Sequence, residues 1–242
     1  MKKIVLLALA FISVSTAFAQ KTKPKKDWSK VTTRPGDHIM IQLSSDHWMG
    51  APDSIKSRIN GIPRGANVYI MLDKPFKNSP RFSTAFGVGI GTSNIYFNKE
   101  NVDIRSNTTT YLPFHNLDSS DHFKKYKLST AFLEVPVELR FSSDPENEGK
   151  SIKAAIGVKI GTLLNAHTKG KSPESKTAAS LNSYTEKETS SRFFNSTRLS
   201  ATARIGYGHI SLFGSYQINS IFKDGVAADI KLLQVGLCIS GL

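Results

Sequence analysis

Residues 126–141 read Tyr126-Lys-Leu-Ser-Thr-Ala-Phe-Leu-Glu-Val-Pro-Val-Glu-Leu-Arg-Phe141. From Ala131 the odd positions are all apolar: Ala131, Leu133, Val135, Val137, Leu139 and Phe141. The even positions from Glu134 are Glu134, Pro136, Glu138 and Arg140. A repeat of two is the spacing of a β-strand, whose side chains point alternately to opposite faces. One face is aliphatic and the other ionic, so the strand separates two unlike surroundings. In a soluble sandwich the charges face water. In a small membrane barrel they face the lumen, and the aliphatic face meets lipid.

The same alternation recurs along the chain. Asp37–Asp46 sets Ile39, Ile41 and Leu43 against Gln42 and Ser44, and Gly65–Asp73 sets Val68, Ile70 and Leu72 against Asn67 and Asp73. In Arg81–Phe97 the large residues Phe82, Phe86, Val88 and Ile90 alternate with Ser83, Ala85, Gly87, Gly89 and Gly91. Ser151–Leu164 sets Ile152, Ala154, Ile156, Val158 and Ile160 against Lys153, Ala155, Gly157, Lys159 and Gly161. Arg198–Tyr207 places Arg198, Ser200, Thr202, Arg204 and Gly206 on one face; His209–Ile218 and Ala228–Ser240 complete the set. Large residues outside and small ones inside suit a narrow barrel, because about eight strands leave an interior only wide enough for side chains.

The expected fold is therefore all-β, an eight-stranded antiparallel up-and-down transmembrane β-barrel. Its connections alternate between long (47–64, 98–124, 165–191) and short (74–80, 142–150, 206–208), with a medium link at 219–227. Long outer loops and short periplasmic turns have this asymmetry. Within the loops, a helical turn is expected at Ser54–Ile59. Val102–Ile104 and Thr108–Phe114 are expected to extend the neighbouring strands as a hairpin. A soluble lipocalin-type barrel also closes its edges, but there the glycines would sit on exposed strand faces and weaken the sheet without benefit.

The chain has 242 residues, a net charge of +13 and one cysteine, Cys238. Lys2 and Lys3, the apolar run Ile4–Val14 and the small-x-small site Ala17-Phe-Ala19 form the pattern of a secretory signal peptide at 1–19, cleaved after Ala19. Residues 20–36 are expected to be a basic leader and 37–242 the barrel. With one cysteine an internal disulfide is excluded, and export argues against nucleic acid as the partner of the positive charge. Anionic lipid headgroups or other polyanions fit it better.

The segment Phe132-Leu-Glu-Val-Pro-Val-Glu-Leu-Arg-Phe141 resembles the "Leu-Glu-Ile-Pro-Leu" strand of the PorT-like outer-membrane β-barrel proteins of Bacteroidota. Gly87-x-Gly89-x-Gly91 and the Ala154, Gly157, Gly161 spacing are similar too. The resemblance runs from about Asp37 onward and implies an eight-stranded barrel of the outer membrane. The namesake's tie to a secretion system implies, as one option, an envelope or secretion-system protein partner beside the outer-membrane lipid itself.

Seven charged residues fall on the expected inner face: Glu134, Glu138, Arg140, Lys153, Lys159, Arg198 and Arg204. Opposite charges confined there are expected to satisfy one another as an ionic network that plugs the lumen. Gly87, Gly89, Gly91, Gly157 and Gly161 are the expected small lumen positions. The five-to-two excess of cations leaves an anion-preferring pore as the alternative. His209-Ile-Ser211 invites comparison with lipid A deacylases, but the nearest acids are Asp224 and Asp229, across a loop. The scattered histidines lack metal-ligand spacing, so no metal and no cofactor is expected. Trp28, Trp48, Tyr69, Tyr96, Tyr126, Phe141 and Tyr207 lie near strand ends and are expected as interface-girdle aromatics. The expected role is non-enzymatic: structural, adhesive or envelope-assembly, with a small pore or secretion-accessory barrel as the alternative.

Overall fold

Branched and aromatic side chains at every second position favour extended backbone, and the computed structural model of the chain is built almost wholly from strands. It describes residues 38–175, 177 and 184–241. The signal peptide at 1–19 and the leader at 20–36, Trp28 included, lie outside the described residues. The strands are β1 (Ile39–Met49), β2 (Arg64–Phe76), β3 (Ser79–Phe97), β4 (Glu100–Val102), β5 (Phe114–Asn116) and β6 (His122–Ser142). They continue with β7 (Ile152–Glu174), β8 (Thr185–Thr189), β9 (Thr197–Tyr207), β10 (Ile210–Gln217) and β11 (Lys231–Ser240).

Eight of them, β6-β3-β2-β1-β11-β10-β9-β7, are paired in that order, and β7 pairs back onto β6 to close the ring. Every pairing is antiparallel. Closure satisfies the backbone groups of each barrel strand on both sides, which a bilayer requires.

The alternation sets inside and outside as the sequence implies. Val135, Val137 and Leu139 are 47%, 44% and 42% exposed, while Glu134, Glu138 and Arg140 are 0%, 2% and 3% exposed. Leu43, Val68, Ile70, Phe86, Val88, Ile90, Ile156, Ile160, Ile205, Leu212, Val235 and Leu237 join the outer set, so the aliphatic belt runs round the whole barrel. An apolar surface of that extent belongs in lipid rather than water. Arginine at Val137, in mid-belt, is expected to cost about 2–4 kcal/mol of barrel stability. The urea midpoint of V137R refolded into bilayers measures this; an unchanged midpoint would put that face in water.

The connections at one end are tight: Lys77–Asn78, residues 143–151 with a 3-10 turn at Glu148–Lys150, and Gly208–His209. At Gly208 the chain takes φ +60, which glycine adopts without strain. The other end carries the long loops, including a helical turn at Asp53–Lys56.

Two expectations about those loops need correction. Residues 165–174 continue β7 rather than starting a loop, and β8 folds back to pair with them. The misreading has a cause in the register. Leu164 is bulged out, since Ala131 pairs with Asn165 and Phe132 with Leu163. The inner face therefore shifts from odd to even positions, and the outer face turns polar at the same point. Val102–Ile104 and Thr108–Phe114 do not extend neighbouring strands either. β4 and β5 pair with each other as a separate sheet, and Leu112 N–H donates to the Val226 carbonyl at 2.7 Å.

The three long connections and the medium link pack together over the barrel's end. Ala51 and Ile55, Val102, Ile104 and Leu112, Phe193 and Phe194, and Ile221, Phe222 and Ile230 form one core with the inward strand ends Trp48, Ile95, Phe97, Tyr126, Leu128, Ala166 and Leu232. Trp48 packs edge-on to Phe97 (5.7 Å) and Phe222 (5.8 Å). Outside this cap, Arg58 bonds both oxygens of Asp118 and holds its carboxyl down at about 2. Trp48 and Tyr126 are thus cap residues and Tyr69 is a lumen residue, not girdle aromatics. All three have inward parity; Trp48 and Tyr126 stand toward strand ends, whereas Tyr69 is in the middle of β2. Tyr207, by contrast, is exposed near the tight turns.

Candidate functional site

Every ionic residue expected in the lumen lies inside the barrel, and they assemble into two layers. In the middle layer Glu134 of β6 accepts hydrogen bonds from Tyr69 Oη (2.5 Å) on β2 and Arg198 Nη1 (3.2 Å) on β9. Lys159 Nζ of β7 lies 3.5 Å from the same carboxylate and donates to Tyr69 Oη at 3.2 Å. The Arg198 guanidinium also sits 3.8 Å from the centre of the Phe132 ring, a cation–π contact that covers its flat face. Four strands are thus tied across the lumen through one carboxylate.

The second layer lies nearer the tight turns. Glu138 of β6 accepts from Arg140 Nε (2.9 Å) and Arg204 Nη2 (3.1 Å). Arg140 lies 3.9 Å from Asp73 of β2, and Arg204 donates to Ser240 Oγ of β11 at 3.2 Å. Lys153 closes the turn end by donating to Glu148 at 3.2 Å. Met40, Tyr69, Met71, Ala85, Phe213 and Cys238 form an apolar cluster of their own.

The five glycines make room for these groups. A Cβ on Gly91 would lie 2.6 Å from Glu134 Oε2, and one on Gly161 would lie 2.9 Å from Glu134 Cγ. At Gly157 it would meet Glu138 Cγ at 3.0 Å, at Gly89 the Tyr69 ring at 2.6 Å, and at Gly87 Met71 Sδ at 2.5 Å. Real side chains do not approach so closely, so the ionic layers and the small residues require each other.

Sequence reasoning undercounted the acids. Asp73, Asp46 and Glu148 join Glu134 and Glu138, so five carboxylates stand with the five cations, not two. Each cation has a carboxylate within 4 Å. Charge excess, the basis of the anion-pore alternative, is therefore absent among the described residues. Asp46 and Asp73 share parity with Gln42 and Asn67, so the alternation could have found them; Glu148 sits in a turn and carried no such signal.

Toward the cap the lumen stays polar for one more step. Asn67 donates to Gln42 Oε1 (3.2 Å), and Asp46 accepts from Ser44 (2.5 Å) and Gln234 (3.1 Å). A cavity of about 10 Å³ follows between Arg198 and the cap residues Trp48, Leu128 and Leu232. That is the space of a single water.

The deacylase-like pair is not assembled. Ser211 is buried on the inner face, the His209 ring meets the Ser240 carbonyl at 3.2 Å beside the tight turns, and Asp224 and Asp229 belong to the 218–230 loop at the opposite end. Among the described residues no three His, Cys, Asp or Glu side chains gather as a metal site.

Residues 15–223 match the family described as an outer membrane protein beta-barrel domain. Among solved structures, the chain aligns with Ail, the attachment invasion locus protein of Yersinia pestis. In its complex with the heparin analogue sucrose octasulfate the identity is 14%, with 84% of this chain and 94% of that chain covered and a TM-score of 0.34. A second Ail structure gives 13%, 86%, 98% and 0.32. No curated protein matches the sequence.

Proposed function

Because the chain belongs to the outer membrane protein beta-barrel domain family, we propose that it acts as a sealed, non-enzymatic element of the outer membrane. Its lumen is plugged by the two ionic layers, and its structural, adhesive or envelope-assembly duty is carried at the capped loop end. The observation that carries this reading is the Glu134–Lys159–Arg198–Tyr69 layer, which joins four strands across the only axis along which solute could pass. The apolar cap closes the same axis a second time.

Resemblance at Phe132–Phe141 supports a finer placement among PorT-like barrels, and with it an envelope or secretion-system protein as partner. Export through residues 1–19, with cleavage after Ala19, belongs to the same proposal. The long loops provide the contact surface, since binding groups concentrate on loops held by a rigid scaffold.

Planar-bilayer recording tests the plug. The purified full chain, shown to be folded by heat-modifiable gel migration, is expected to add no steady conductance above the bare bilayer. Robust ohmic steps from the folded protein would overturn the plug and restore the pore.

A further inference from the structure

Beyond the aliphatic belt, at the loop end, the outward faces of β6, β7 and β8 carry a cluster of lysines. Backbone pairing sets Lys127 opposite Lys169, and Lys169 opposite Lys187, in one row across three strands. The adjacent row pairs Lys125 with Lys171. Residues directly opposite in an antiparallel sheet project from the same face, so all five ammonium groups share one surface. That surface continues the lipid-facing side. On β6 the odd positions run from Lys125 and Lys127 through Ala131 to Leu133, Val135 and Val137; on β7 the bulge at Leu164 makes Lys169 and Lys171 outward.

Neither row contains a carboxylate. The acids of β8 are held on its other face, where Glu186 and Glu188 pair with the buried Gly170 and Thr168. Like charges placed directly opposite one another weaken a sheet, so this arrangement is unfavourable until an anion bridges it. Its effect is felt by His167 in the neighbouring row: partial burial, and then Lys187, Lys127 and Lys169, hold the imidazole below its ordinary pKa. One lysine has a partner on the sheet, Lys127 donating to Asn94 at 2.7 Å; Lys125, Lys169, Lys171 and Lys187 are exposed.

We propose that this patch binds the phosphate groups of anionic glycolipid headgroups in the outer leaflet surrounding the barrel. The inference rests on the membrane reading of the belt. Two features select a lipid over a soluble polyanion. The patch is on the barrel's flank, facing neighbouring lipids rather than the bulk above the cap. Its nearer row, Lys127 and Lys169, also stands about 10–15 Å beyond the last outward aliphatic side chain, from the rise per residue and tilt of barrel strands. Flexible lysine stems bridge such a height to a headgroup layer.

The test refolds the full chain into phosphatidylcholine bilayers with and without a phosphorylated lipid A. Lipid retained after exchange into a zwitterionic detergent is then counted by native mass spectrometry. The wild type is expected to retain phosphorylated lipid A, and its dephosphorylated form at least tenfold less. The combined variant K125Q/K169Q/K171Q/K187Q is expected to lose at least tenfold in retention, each lysine near an anionic surface being worth about fivefold. E186Q/E188Q is expected to retain lipid as wild type does.

Heat-modifiable migration is scored in every sample. A chain that fails to shift has failed as a barrel, which defeats the membrane reading itself. A chain that shifts but retains no lipid A, or retains it equally in the lysine variant, overturns the patch alone. Should the fourfold variant not fold, K171Q/K187Q, confined to the β7–β8 hairpin beyond the belt, must still lower retention severalfold. Binding of inorganic polyphosphate to the bilayer-inserted protein without lipid retention would also overturn the lipid as occupant.

Discussion

Glu134→Gln is expected to destabilise the folded barrel by about 3–5 kcal/mol, the usual cost of removing one partner from a buried ion pair. The side chain is wholly buried, and its carboxylate faces both Arg198 (3.2 Å) and Lys159 (3.5 Å). Glutamine keeps the shape and the Tyr69 contact, so packing loss contributes little. What remains is two cations enclosed in a lumen with room for one water beside Arg198. Neither can move to solvent, because the cap closes one side and the Glu138 layer the other. Urea titration of the refolded protein in detergent, followed by loss of heat-modifiable migration, measures the cost. Adding Lys159→Met to the glutamine variant is expected to recover part of the loss by removing one of the stranded charges. A midpoint for E134Q equal to wild type would mean the layer is hydrated and the lumen is not sealed.

Phe222→Ala is expected to cost a similar ~3–5 kcal/mol, but in a different part of the molecule. The Phe222 ring is fully buried in the cap, 5.8 Å from Trp48 and 5.3 Å from Phe194, and its backbone bridges that of Phe194. Removing it opens a cavity where four loops meet and where strand pairing no longer supports them. The loss should therefore loosen the cap while the barrel below keeps its hydrogen-bonded ring. Limited trypsin digestion of the inserted protein reads this directly. Cleavage after Arg105, Arg192 or Lys223, all exposed on cap loops, is expected to accelerate at least tenfold with the heat shift retained. Unchanged digestion would mean the loops are ordered individually and not by a shared core.

The barrel was legible because a closed sheet between lipid and a packed lumen writes the same two-residue repeat on every strand. Val135, Val137 and Leu139 needed no tertiary information to be placed outside. Gly87, Gly89 and Gly91 were equally plain as inner positions, since a narrow interior admits little else. Parity alone also sent Glu134, Glu138, Arg140, Lys159, Arg198 and Arg204 inward. Where parity was set aside for another cue, the reading erred. Tyr69 and Trp48 were assigned to the membrane interface from their position near strand ends, although both alternate with outward residues. Asp46 and Asp73 alternate with outward residues in the same way, so parity places these two acids inside as well.

Repeat and composition by themselves determined the number of barrel strands, the closure and, up to the bulge at Leu164, the side each strand residue faces, because those follow from local alternation and from the need to hide backbone in lipid. Only the tertiary structure decided which charges meet. Tyr69 and Glu134 are 65 positions apart and Arg204 and Glu138 are 66, so their contact depends on the stagger of distant strands, which alternation does not encode. The cap is the same case in apolar form. Phe194, Phe222, Leu112 and Ile55 come from four separate loops with no common period, and only their convergence over the barrel's end makes them a core.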